Sequence, residues 1–218
     1  HLGDIAGQVE RSLHDSLQRL RLDSVDLLQL HNLIDVEPTD KAIGVDHVLG
    51  PGGVAEGMER MRDQGLIRHM GLSALGHHME TVRAIDSGRF ETAQVYYNML
   101  NPSAARNSMP EKWIGYDATG IMAACKRQDM AVMAIRIYAA SYLATPVRTG
   151  RESILTSDTD ATSEERMSEV LFEALGGDYG SWAEIATRFA LSNADVSVAI
   201  IGLSDVSYMD EAVAAAEK

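Results

Sequence analysis

One cysteine, Cys125, stands alone in 218 residues, so no internal disulfide forms, and a reducing compartment such as the cytosol is expected. Aromatic residues make up only 6% of the chain and prolines number five. Basic residues are outnumbered, 19 against 32 acidic ones, for a formal net charge of −13. A chain this acidic repels nucleic-acid phosphates and anionic membrane surfaces, which excludes both as expected partners. No apolar run approaches the roughly 20 residues that span a bilayer, and no signal peptide is visible. Nor is there a Gly-x-Gly-x-x-Gly after the first predicted strand, which argues against a dinucleotide-binding Rossmann unit.

The sequence does contain a repeated alternation of helix and strand. Val9, Leu13, Leu17 and Leu20 fall at spacings of three and four, one apolar stripe of a helix. Residues 24–34 then form a short apolar run that reads as a buried strand, entered at Asp26, filled by Leu27, Leu28 and Leu30, and delivering His31 to its far end. Residues 32–52 read as loop, ending Gly50-Pro51-Gly52-Gly53. Beyond them the pattern predicts a helix over 54–64, a strand over 67–72 ending at Ser73, and a helix over 78–85. A strand over 92–97, a helix over 118–127 and a strand over 130–137 follow. Residues 141–163 read as loop, with the acids of 157–165 solvated. Helices over 164–175 and 182–191, a strand over 196–201 and a helix over 205–217 complete the chain.

Five strands with helical crossovers and no hairpin signal imply a parallel α/β sheet. Each strand ends in a different polar group: His31, Ser73, Gln94 to Asn98, Arg136, and Gly202 to Ser204. Such residues at the C-terminal ends of parallel strands are how a (β/α) barrel builds an active site. Taken singly they have plainer readings. His31 could be a hydrogen-bonded surface residue, Ser73 a helix N-cap and Gln94 a solvated strand residue. His77-His78 lacks a partner at ligand spacing, so no metal site is expected. Cys125, Met122, Met130 and Met133 read as core.

Several segments together resemble the aldo-keto reductase family. They are Ser16 to Leu20 with Asp23 to His31, Gln64 to Ser73, Gln94 to Leu100, and Ile200 to Ser204, in the family's order and with family-like spacing. Arg136 with Ala139-Ala140 departs from the family's usual Tyr-Ser-Pro-Leu and resembles its sugar-dehydrogenase-like branch. The resemblance implies a (β/α)8 TIM barrel, here an incomplete barrel of about five βα units, with residues 1–218 forming a single partial domain that lacks the first three. It also implies hydride transfer between NAD or NADP and an aldehyde, ketone or aldose. Of the family's Asp, Tyr, Lys and His around the reacting oxygen, only the His has a match, His31. Ser73 and Gln94 match the residues that hold the nicotinamide carboxamide, while the Asn beside that Ser is replaced by Ala74. The aromatic residue that stacks on nicotinamide aligns near Ile135. Arg136, Gly202 and Ser204 are the remaining cofactor-binding expectations. Residues 203–217 contain no Lys or Arg and several acids, which leans the cofactor toward NAD. The alternative is a truncated or non-catalytic barrel relative that binds a nucleotide or a protein partner. Open strand edges would invite association with a second copy.

Overall fold

The computed structural model describes residues 3–148, 150, 152, 160–177, 179–203 and 205–217. Its strands are β1 (Val25–Leu30), β2 (Leu33–Ile34), β3 (Ala42–Ile43), β4 (Ile67–Ala74), β5 (Thr92–Tyr96), β6 (Ala131–Ile135) and β7 (Val198–Ala199). Its α-helices are α1 (Ile5–Leu20), α2 (Val45–Leu49), α3 (Val54–Asp63), α4 (His78–Asp86), α5 (Ile121–Arg127), α6 (Ala161–Leu175), α7 (Trp182–Leu191) and α8 (Ser207–Ala216). Five strands form one sheet in the order β1-β4-β5-β6-β7, and β2 and β3 form a separate parallel pair. The expected parallel α/β architecture is present, and among the described residues the sheet does not close into a barrel.

By contact density the chain divides into two compact units, 1–94 with 123–131, and 95–122 with 132–218. In the first unit α1 starts at Asp4, whose side chain accepts a hydrogen bond from the Gly7 N–H, and ends at Arg21 in a left-handed conformation. Leu13 and Leu17 of the expected stripe are buried and Val9 is half-buried, whereas Leu20, at the last turn, is 58% exposed. Helices α1 and α3 approach closely at Gly57, where a Cβ would lie 3.0 Å from the Ala6 backbone and 3.1 Å from Val9. Helix α3 contacts β4, and Met58 and Met61 of the helix and Ile67, Met70 and Leu72 of the strand are all buried. Arg89 locks the entry to β5: its guanidinium donates two hydrogen bonds to Glu59 at 2.8 and 2.6 Å and one to the Leu49 carbonyl at 2.9 Å. This fork holds the Glu59 carboxyl below its usual range.

In the second unit β6 pairs parallel with β7, Met133 opposite Val198 and Ala134 opposite Ala199. Helix α7 carries a reciprocal capping box between Ser181 and Glu184. The Phe172 and Trp182 rings stack at 4.0 Å between centroids. Among the described residues no helix is long and apolar enough to cross a membrane.

Three expectations are corrected. The 32–52 loop holds a parallel strand pair and a short helix, α2, because Leu33 and Ile34 find partners in Ala42 and Ile43 beyond the connecting residues 35–41. The last strand shortens to two residues. The acids of 157–165 do not all lie in solvent: Asp160 caps α6, and Glu164 is buried at 6% exposure. Residues 157–159 lie outside the described residues.

Candidate functional site

Parallel strand register builds a polar layer in the first unit. Gln29 of β1 stands opposite Gly71 of β4, and Leu30 opposite Leu72, so His31 and Ser73 are the next residues along their strands. Alternation sends Gln29, Gly71 and Ser73 to one face of the sheet. On β5, Ala93 and Val95 are buried on the opposite face, while Thr92 and Gln94 are half-buried on this one. The Ser73 hydroxyl donates to Gln94 Oε1 at 3.4 Å, and Gln94 Nε2 donates to Gln29 Oε1 at 3.0 Å. Gln29 Nε2 in turn donates to Thr92 Oγ1 at 3.4 Å. Gly71 is needed beneath this chain, because a Cβ there would lie 2.2 Å from Thr92 Oγ1 and 3.0 Å from Gln29.

Ser73 is therefore not a helix cap. It is the penultimate residue of β4, 1% exposed, and α4 begins five residues later with His77 at its cap. Gln94 sits in the middle of β5 and reaches Ser73 through its side chain. His31 is exposed, directly after β1. It lines a groove of about 780 Å³ with Gln29, Asn32 and residues of α1 and α3.

The second unit holds Arg136 and Gly202. Arg136 directly follows β6 and takes a left-handed φ of 62°. That conformation costs a non-glycine residue roughly 1–2 kcal/mol. It is held by Asn98, 1% exposed, whose Nδ2 donates to the Arg136 carbonyl at 2.9 Å. Asn98 Oδ1 accepts from the Leu100 and Asn101 N–H groups, each at 2.9 Å. Further left-handed residues follow, Ala139, Ala140 and Ser141, with φ of 43°, 56° and 86°. Such backbone turns present N–H groups to anions. Arg136, Ala140, Ser141 and Gly202 line one pocket of about 280 Å³ with Ile200 and Ile201. Gly202 has open space where a side chain would stand. Ser204 lies outside the described residues.

The aligned Ile135 is half-buried and presents no ring. Cys125 is fully buried, and desolvation pushes its thiol up to about 12. Among the described residues no three His, Cys, Asp or Glu side chains are grouped to hold a metal.

Sequence reading passed over Gln29 and Thr92, although Gln29 stands two residues before His31, at the spacing that shares a strand face. It also passed over Glu164, whose i, i+4, i+8 relation to Ser168 and Phe172 marks an inward stripe of α6.

The fold has solved counterparts. An aldo-keto reductase from Bacillus halodurans, AKR11C1 in its holo form, matches over 99% of this chain with a TM-score of 0.67 and 20% identity. The thermostable aldo-keto reductase Tm1743, solved with the inhibitor epalrestat, matches over 99% with a TM-score of 0.60 and 20% identity. The glycerol dehydrogenase AKR11B4 from Gluconobacter oxydans matches over 97% with a TM-score of 0.56 and 18% identity. The chain spans 63%, 62% and 64% of the lengths of these proteins, respectively. The pattern of the Aldo/keto reductase family matches residues 3–218, and the chain belongs to the aldo/keto reductase family.

Proposed function

We propose that this chain is the cofactor- and His-bearing part of an NAD(P)-dependent oxidoreductase acting on an aldehyde, ketone or aldose. The observation that carries the reading is the Ser73–Gln94–Gln29 chain. The Ser73–Gln94 contact, at 3.4 Å, is near the upper limit of a hydrogen bond, so a carboxamide can compete for both groups. Ser73 and Gln94 hold the nicotinamide amide. Arg136, Gly202 and Ser204 take the phosphates, through guanidinium charge and backbone N–H groups. The bound nicotinamide supplies the hydride. His31 orients the carbonyl oxygen. The Asp, Tyr and Lys that the family places around that oxygen have no match within residues 1–218, so proton donation is assigned to groups supplied from outside these residues. A soluble cytoplasmic setting is part of the same proposal.

Titration with NADH and NADPH, followed by tryptophan quenching, tests it. Both are expected to bind, and Ser73→Ala and Gln94→Ala to weaken binding about tenfold each, the loss of one hydrogen bond to a polar ligand. Discrimination against NAD is expected to be weak, because Asp205, Asp210 and Glu211 stand where a base would meet a 2′-phosphate. A preference for NADPH of 100-fold, about 2.7 kcal/mol, overturns that lean. Binding of a protein partner with no affinity for either nucleotide would replace the enzyme reading with the non-catalytic one.

A further inference from the structure

The Gln29 side chain spans three strands. It starts on β1, and its partners Thr92 and Gln94 stand on β5, with β4 between them. Adjacent strands lie about 4.8 Å apart, so a side chain that bridges two gaps must cross the middle strand. Gln29 crosses at Gly71, where a Cβ would come within 3.0 Å of its Cγ and its Nε2. Its amide is then held on β5 at two points. Oε1 accepts from Gln94 Nε2 at 3.0 Å, and Nε2 donates to Thr92 Oγ1 at 3.4 Å. The contact between the two amides is the shortest of the chain, since the Ser73–Gln94 bond also measures 3.4 Å. Because Gln29 takes the Nε2 end of Gln94, Gln94 Oε1 faces Ser73. The hydroxyls of Ser73 and Thr92 can each donate or accept and so fit a chain running either way, whereas an amide has distinct donor and acceptor ends. The direction of the chain therefore lies in the contact between Gln29 and Gln94.

We propose that Gln29 is a positioning residue that acts through Gln94: by accepting from Gln94 Nε2 it turns Gln94 Oε1 toward the cofactor, so that the site selects a primary carboxamide over a ring substituent without an N–H donor. The inference rests on the placement of the nicotinamide amide at Ser73 and Gln94 in the proposed function. In that placement the Ser73 hydroxyl leaves Gln94 and donates to the amide oxygen, while Gln94 Oε1 accepts from the amide NH2. One donor and one acceptor complement the two ends of a carboxamide. With Gln94 reversed, the site would offer two donors, which suit a substituent carrying only oxygen as well as they suit an amide. Gln29 touches neither substrate nor cofactor in this scheme, and no covalent bond of the ligand changes.

NAD and its 3-acetylpyridine analogue are the suitable probes, because they carry the same charge and differ only by a methyl in place of the amide NH2. Calorimetric titration of the 218-residue chain with each gives a ratio of affinities. The wild type is expected to favour NAD about tenfold, the worth of one hydrogen bond. Gln29→Met keeps the length without the polar groups, frees Gln94 to present either end, and should bring the ratio to near unity. Gln29→Glu only accepts and Gln29→Lys only donates. The first should keep the tenfold ratio, and the second, which turns Gln94 round, should abolish it. A side chain that merely filled space would move the two alike, and equal probe charge removes the effect of the new charge from the ratio. This pair also carries the test should Gln29→Met fail to fold. A ratio near unity in wild type, a ratio retained in Gln29→Met or Gln29→Lys, or one lost in Gln29→Glu overturns the inference. Gln94→Ala separates it from the reading beneath it. If that variant binds NAD as well as wild type, or wild type binds no NAD, the nicotinamide placement falls and the inference with it. If Gln94→Ala weakens NAD binding while the Gln29 variants leave the ratio unchanged, only the role of Gln29 falls.

Discussion

Truncating Asn98 would orphan the N–H groups of Leu100 and Asn101 and leave the Arg136 carbonyl with only the bond it accepts from the Ala139 N–H at 2.8 Å. Each unsatisfied group costs roughly 1–3 kcal/mol. Asn98→Ala is therefore expected to lose about 2–4 kcal/mol in urea unfolding, allowing for partial rescue by water. The same variant should release the left-handed Arg136. Glu164 acts on stability in the opposite sense. Its folded pKa lies above its ordinary 4.5, so the folded state holds the proton more tightly. The stabilisation is complete below pH 4.5 and is lost as pH rises through the folded value. Glu164→Gln should then unfold at higher urea than wild type at pH 8, and the gap should close as pH falls toward 4.5. Neither residue could be weighted this way from sequence. Asn98 appeared only as a polar strand end, and Glu164 sat in an acidic run whose composition resembles a solvated loop. What decided both was the partner across space, which local pattern does not carry.

At the level of elements, the strands found in sequence are those long enough to show their own apolar run. β1, β4, β5 and β6 lie within a few residues of their expected bounds. The misses are two-residue strands, β2 and β3, which exist only through their pairing across residues 35–41, and β7, cut to two residues. The polar layer of Gln29, Thr92, Ser73 and Gln94 was half legible. Its two family-matched members stood out, while the two that connect them needed the register between β1 and β4. Gly71 is the point where this layer is most exposed to damage. In Gly71→Ala the new methyl must displace Thr92 Oγ1 and Gln29 together. Overpacking of this kind costs roughly 1–3 kcal/mol. The expected outcome is that loss in unfolding experiments, accompanied by weaker NADH binding even though residue 71 itself makes no contact proposed for the cofactor.

For the molecule as a whole, the expected chemistry follows from what the 218 residues contain. With the His match but none for the Asp, Tyr and Lys, the chain assayed alone with NAD(P)H and a panel of aldehydes and aldoses is expected to show no turnover. A misplacement near 1 Å already costs on the order of 100-fold, and here the proton donor itself has no match. Turnover abolished by His31→Ala would show that another group of this chain donates the proton. The family and the parallel α/β sheet were readable from several agreeing segments, whereas the division into two compact units was not, since contact density leaves no mark on composition.

The stacked Phe172–Trp182 pair also determines what light reports about this protein. Both tryptophans, Trp113 and Trp182, belong to the second unit, and the first contains none. Emission excited at the indole band is thus a one-sided signal, whereas far-ultraviolet dichroism sums helices from both units. Recorded on one denaturation series, the two curves superimpose if the units melt together and separate if they do not. The asymmetric placement of two indoles gives each half of the chain a distinguishable optical record without any added label.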